Sequence, residues 1–190
     1  FAELLGDVEQ AAAPYGLLDV RGDGTDVERA YLPLDEEIGR RVREAARSLG
    51  VSAATIFHLA WARVLGTLSG RDDVVFGTVL FGRMNAGAGS DRVPGLFINT
   101  LPVRVPVPPG APAVAWLAGL QEQMAGLRSR EHTPLSDIQR WSGAASGQSL
   151  FETLLVFENY PVAESLREPQ GGLSVRAVQK AGYTESPLED

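Results

Sequence analysis

Residues 74–81 read VVFGTVLF, an unbroken apolar run that lies between the Asp72-Asp73 pair and Gly82. The run is shorter than a typical helix and rich in β-branched residues. Its length and composition therefore favour a strand that is covered on both faces.

Residues 96–107 read LFINTLPVRVPV and predict a second strand. Pro102 and Pro106 cannot donate a ladder hydrogen bond, so this strand should lie at a sheet edge or be interrupted by bends. The intervening residues 82–95 contain four glycines and predict a long loop. Loops of this length within a domain are usually functional or mobile.

Helical patterns flank these two strands. Asp35 caps an amphipathic helix that ends at Gly50, and Ser52 caps a second helix that ends before Gly70. The remaining predicted elements are a helix over 112–129, a short helix over 134–141, a strand over 150–157 and a half-exposed strand over 173–178. This order predicts an α/β (α+β) fold, a mixed-sheet sandwich with helices packed on the sheet.

Composition excludes several classes of function. The chain has 190 residues, with 24 acidic and 17 basic side chains, and no basic run, which argues against nucleic-acid binding. Cysteine is absent, so disulfides, a thiolate nucleophile and cysteine-rich metal sites are excluded. No apolar stretch approaches the roughly 18 to 20 residues that span a bilayer. We therefore expect a cytoplasmic protein with no membrane partner.

The chain contains two histidines, His58 and His132. His58 lies within the second predicted helix without an acidic or histidine partner at helical spacing, which favours a packed histidine over a catalytic one. His132 precedes Thr133-Pro134 at a predicted helix start, which favours a residue that braces the turn. The sequence also lacks a Gly-x-Ser-x-Gly elbow, a Walker loop and a His-Glu-x-x-His zinc motif. The residues alone thus predict a mixed α/β domain with no metal and no self-contained active site.

Four segments nevertheless resemble the C-terminal half of a nonribosomal peptide synthetase condensation domain. Residues 93–104 (VPGLFINTLPVR) are similar to the family's Gly-x-Phe-x-Asn-Thr...Arg motif. The other three segments are 69–83, with its strand and Gly-Arg turn, 132–139, and 150–161. Their order and spacing agree with the family across about residues 30–160.

The resemblance implies a chloramphenicol acetyltransferase-like fold in which two similar lobes form a V. The family's catalytic His-His-x-x-x-Asp-Gly motif ends the N-terminal lobe, and this chain contains no adjacent histidines. By resemblance, residues 31–190 are the C-terminal lobe and residues 1–30 a lead-in from the preceding lobe. The chain alone should be inactive.

The family reaction is amide formation between two thioesters carried on phosphopantetheine arms. The resemblance implies that no cofactor binds this chain directly. It implies as partners the N-terminal lobe, upstream and downstream peptidyl carrier proteins, and an adjacent adenylation domain.

Residue roles follow only where the motif matches. Asn99 is the supporting residue, either facing the catalytic histidine across the cleft or satisfying local backbone. Arg104 is expected to be a structural ion-pair partner. The remaining residues implied for the substrate tunnel are Phe81, Gly82, Arg83, Gly95 and Phe97.

Three alternatives stay open at this point. The chain could be a non-catalytic docking module of the same fold that recruits a partner enzyme, or an epimerisation or cyclisation relative. It could also be an unrelated α/β binding protein.

Overall fold

The computed structural model describes residues 1–18, 27–81, 97–145 and 147–158. The chain divides into two units, Phe1–Val20 with Tyr31–Phe157, and Arg21–Ala30 with Glu158–Asp190. All helices and strands of the described residues belong to the first unit. The predicted loop 82–95 and the predicted strand 173–178 lie outside the described residues.

The two helices for which the sequence shows capping residues begin and end where those residues predict. After the short α1 (Ala2–Leu5), α2 spans Glu36–Leu49 and α3 spans Ala53–Ser69. The Asp35 carboxylate accepts hydrogen bonds from the backbone N–H groups of Glu37 and Ile38, and the Ser52 hydroxyl accepts one from Thr55. Gly50 and Gly70 end these helices in the left-handed conformation, which glycine adopts at little cost.

Two further helices follow the second strand. Helix α4 spans Ala113–Arg128 and α5 spans Leu135–Trp141. Helix α4 buries one stripe of side chains at helical spacing, Leu117, Leu120, Met124 and Leu127. This stripe closes the core over the sheet.

The sheet has three strands in the order β2-β1-β3. Strand β1 (Asp73–Phe81) pairs antiparallel with β2 (Ile98–Pro106) along its whole length and parallel with β3 (Leu154–Leu155). The described sheet is therefore mixed, and the predicted fold class is confirmed. The third strand is shorter than its predicted range, because it meets β1 only at Gly77 and Thr78. A side chain at Gly77 would collide with those of Leu154 and Phe151, so this glycine sets where β3 approaches.

Strand β2 lies at an edge of this sheet and runs without interruption. Its even-numbered residues direct their backbone groups away from β1. Pro102 and Pro106 have no N–H, the Arg104 N–H donates to Gln123 Oε1, and the Thr100 N–H donates to Asn99 Oδ1. None of these four positions offers a free N–H to another strand.

The two faces of the sheet bury different residues. One face packs against the helices and carries Val74, Phe76, Thr78, Leu101, Val103 and Val105, all buried. Leu5, Val8 and Ala12 join the same core cluster. The N-terminal segment thus packs within the first unit, while its predicted origin in a preceding lobe stays a prediction.

Among the described residues, no single helix has both the length and the apolar composition needed to cross a membrane. One pair of helices, Glu36–Leu49 and Ala53–Ser69, has enough length and apolar character when the two are taken together. The pair is bent by 107° at the break between the helices.

Candidate functional site

Asn99 lies at the start of β2, opposite Leu80 of β1. Because side chains alternate along a strand, Asn99 shares the helix-covered face with Leu101 and Val103. Phe81 is paired with Ile98 one position further along and therefore belongs to the opposite face. The structure does not place Asn99 and Phe81, two of the predicted tunnel residues, on a common face of the sheet.

Both the nitrogen and the oxygen of the Asn99 side-chain amide form hydrogen bonds. Its Nδ2 donates to the carbonyl oxygens of Glu131 at 2.7 Å and Thr133 at 2.9 Å. Its Oδ1 accepts from the Thr100 N–H at 2.9 Å. Both amide hydrogens are thus committed to the turn that joins α4 to α5, and only a second lone pair of Oδ1 remains for a substrate.

The turn that Asn99 holds contains a buried carboxylate beside an exposed imidazole. The Glu131 side chain is 5% exposed and the His132 side chain is 64% exposed. Glu131 Oε1 is buried without a hydrogen-bond partner and lies 3.8 Å from His132 Nε2. A buried carboxylate oxygen without a partner is uncommon in folded proteins. Sequence reasoning singled out His132 but missed Glu131.

The other predicted tunnel residues are only partly described. Phe81 ends β1 and Phe97 precedes β2, and both are half-buried. Gly82, Arg83 and Gly95 lie outside the described residues. The role of all five toward a substrate stays a prediction.

Arg104 joins three parts of the chain. Its guanidinium donates to Asp73 at 2.5 Å, to Asp7 at 2.5 Å and to the carbonyl oxygen of Leu4 at 2.8 Å. The hydrogen bonds to the two carboxylates raise the pKa of Arg104, and the bond to Arg104 lowers the pKa of Asp7. The backbone of Arg104 is held as well, since its carbonyl accepts from Gln123 Nε2 at 2.8 Å. Arg104 therefore forms ion pairs with Asp7 and Asp73, and the structural role that the sequence predicts for it stays a prediction.

Gln123 was not predicted from the sequence. It lies 19 residues from its partner Arg104, and no local pattern marks it.

His58 is buried in the interface between α3 and β1. Its Nδ1 lies 2.7 Å from the Ala54 carbonyl oxygen and its Nε2 lies 2.7 Å from the Thr78 hydroxyl. A carbonyl only accepts, so Nδ1 carries the proton and neutral Nε2 accepts from Thr78. Burial lowers the pKa of His58, and the hydrogen bond to Ala54 opposes that shift. The packed role predicted for this histidine agrees with its position.

Within the described ranges, no group of three or more His, Asp or Glu side chains could hold a metal ion. The expected absence of a directly bound cofactor stays a prediction.

Comparison with known proteins identifies the family. A family model described as Condensation domain matches residues 14–186. Malpibaldin synthetase of Mortierella alpina is 43% identical over 175 residues, which cover 92% of this chain and 3% of that protein. Vanchrobactin synthetase VabF of Vibrio anguillarum is 34% identical over 187 residues, which cover 98% of this chain and 6% of that protein.

A solved structure shows the same similarity in three dimensions. The first condensation domain of the CDA synthetase superposes with a TM-score of 0.58 at 27% identity, over 68% of this chain and 29% of that chain. The chain therefore spans a small part of the length of the proteins it matches. These matches confirm the resemblance drawn from the motifs, and the chain belongs to the condensation-domain family.

Proposed function

We propose that this chain is the C-terminal lobe of a condensation domain that forms amide bonds between carrier-tethered aminoacyl and peptidyl thioesters in nonribosomal peptide biosynthesis. The observation that carries the proposal is the family match over residues 14–186 in a sequence without a His-His-x-x-x-Asp-Gly motif. The match to only 29% of a solved condensation-domain chain supports the assignment of a part of the domain.

In this proposal the chain contributes orientation rather than acid–base chemistry. Attack of an acceptor amine on a donor thioester forms the new C–N bond and releases the carrier thiol. Holding both tethered reactants in the attacking geometry can supply about 7–11 kcal/mol of the barrier reduction. This lobe would supply the wall of the substrate tunnel opposite the catalytic histidines, and the predicted tunnel residues around Phe81, Phe97 and Asn99 would line it.

The proposal includes the partners and location expected from the sequence. The reactants arrive on the phosphopantetheine arms of an upstream and a downstream peptidyl carrier protein. The N-terminal lobe supplies the catalytic histidines, an adjacent adenylation domain supplies the activated amino acid, and the assembly is cytoplasmic.

The test is amide formation by the full-length parent protein with both carrier proteins loaded. Product should accumulate with the wild-type protein and fall to the uncatalysed level when the second histidine of the parent's His-His-x-x-x-Asp-Gly motif is changed to alanine. The chain of residues 1–190 alone should form no amide.

Three results would contradict the proposal in different ways. A parent that lacks the histidine motif, forms no amide and binds a partner enzyme would be a docking module. Product with an inverted stereocentre but no new amide would indicate an epimerisation relative, and a heterocyclic product a cyclisation relative.

A further inference from the structure

We propose that Asn99 and Glu131 are positioning residues for His132, and that His132 is the polar side chain through which this lobe contacts the carrier-tethered substrate. The inference rests on the proposed function and adds a substrate-contacting residue to it. It also gives Asn99 an indirect role, in place of direct contact across the cleft.

The first argument is the pair of bonds that Asn99 makes on either side of His132. Its two amide hydrogens go to the carbonyl oxygens of residues 131 and 133, which flank the histidine. A third bond, from the Thr133 N–H to the Arg130 carbonyl at 3.0 Å, closes the turn. The backbone of His132 is therefore fixed from β2 and from within the turn.

The second argument is the contrast between that rigid backbone and its exposed side chain. His132 carries an imidazole that is 64% exposed on a turn whose backbone is held at three points. Functional side chains that must meet a ligand with defined geometry are held in this manner, on supports fixed by hydrogen bonds. A turn that served only to connect α4 to α5 would not require a fixed distance to the start of β2, yet Asn99 imposes one.

The third argument is the buried carboxylate. Glu131 Oε1 has no hydrogen-bond partner, and His132 Nε2 lies 3.8 Å from it. The imidazole is exposed and the carboxylate is enclosed, and the 3.8 Å between them is ion-pair distance rather than hydrogen-bond distance. A carboxylate that orients an imidazole is a recurring way to fix which ring nitrogen faces a ligand.

The test is a double-mutant cycle in the full-length parent protein, with amide formation measured in a single turnover at saturating loaded carriers. His132→Ala should lower the rate about tenfold, the effect of one lost hydrogen bond in a transition state. Asn99→Ala should lower it by a similar factor. The double variant should be no slower than His132→Ala, because both changes remove the same contribution.

Matched controls separate positioning from stability. Gln123→Ala removes another amide that makes two bonds to the backbone of β2 but does not touch the turn. It should lower the melting temperature as Asn99→Ala does and leave the rate unchanged. Arg130→Ala removes an exposed side chain from the same turn and should also leave the rate unchanged.

Glu131→Gln keeps the shape of the side chain and should lower the rate less than His132→Ala does. An unchanged rate in His132→Ala would overturn the proposal. So would losses that multiply in the double variant, since Asn99 would then act by itself.

A second readout does not depend on turnover. Diethyl pyrocarbonate modifies exposed imidazoles, and peptide mapping by mass spectrometry distinguishes His132 from His58, which is 2% exposed. Loaded carrier proteins should protect His132 from modification, whereas carriers without a pantetheine arm should not. A wild-type parent that forms no amide would contradict the proposed function, and the footprint alone would then decide this inference. Equal modification with and without loaded carriers would overturn it.

Discussion

His58 Nε2 and the Thr78 hydroxyl lie 2.7 Å apart, 20 residues from each other in sequence and enclosed between α3 and β1. The bond joins the helix layer to the sheet beside Phe76, whose ring centroid lies 6.0 Å from that of His58. Because both residues are buried, water cannot replace either partner in this hydrogen bond.

Lowering the pH should destabilise the fold through His58. Burial holds its folded-state pKa below the ordinary value of 6.5, so the unfolded chain binds a proton more readily than the folded chain. The stability that the fold gains from neutral His58 is complete above about pH 6.5. It is lost as the pH falls from about 6.5 toward the folded-state pKa of His58. Melting temperatures of the wild-type protein between pH 5 and 8 should therefore fall more steeply below pH 6.5 than those of His58→Gln. Parallel curves for the two proteins would contradict the prediction.

Removing one member of this pair should leave the polar group of the other buried without a hydrogen-bond partner. His58→Leu leaves the Thr78 hydroxyl buried without a partner, and Thr78→Val does the same to His58 Nε2. Each should lower the free energy of unfolding by about 1–3 kcal/mol. In the double variant the loss should be smaller than the sum of the two. Denaturant titrations of the four proteins measure this difference, and strictly additive losses would show that the bond contributes nothing.

Gly77→Ala should displace β3 from the sheet. The new methyl carbon would lie 2.6 Å from Phe151 Cε2 and closer still to Leu154, which is tighter than van der Waals contact allows. Overpacking of this kind costs about 1–3 kcal/mol. Gly119→Ala is the matched control, because its added carbon meets nothing within 4 Å and α4 gains helix propensity. A gain in stability from both substitutions would contradict the prediction.

Arg104→Met should destabilise the N-terminal segment more than Asp7→Asn does. Arg104 also bonds Asp73 and the Leu4 carbonyl, while Asp7 is 70% exposed and screened by solvent. Hydrogen exchange at residues 2–8 should rise strongly in Arg104→Met and little in Asp7→Asn. Equal exchange in the two variants would indicate that the exposed pair with Asp7 supplies most of the restraint.

The chain of residues 1–190, prepared alone, should self-associate. Its described residues expose several large apolar side chains, among them Leu32 at 93%, Leu154 at 53% and Ile98, beside Asn99, at 48%. Light scattering after size exclusion should show an apparent mass that rises with concentration, and Ile98→Ser with Leu154→Ser should reduce the rise. A monodisperse monomer at high concentration would argue against a covering lobe at these positions.

Local chemistry made most of the fold predictable. The helices α2 and α3 begin after Asp35 and Ser52 and end before Gly50 and Gly70, because capping depends on residues only a few positions apart. Pro102 and Pro106 predicted either an edge strand or a strand interrupted by bends, because a proline cannot donate a ladder hydrogen bond, and the structure shows the edge strand.

Contacts between distant residues were not predictable in this way. The bonds from Asn99 to residues 131 and 133 cross more than 30 positions, and the bond between His58 and Thr78 crosses 20. The sequence marks each of these side chains as polar, but only the packed helices and sheet decide which of them meet.

The outer edge of β2 has a consequence for assembly. An exposed strand edge presents unpaired backbone groups that invite pairing with a strand of another molecule, above all while the chain is partly folded. Two prolines and the side-chain amides of Asn99 and Gln123 leave no free N–H at residues 100, 102, 104 and 106 of β2, so pairing of a second strand along this part of the edge is disfavoured.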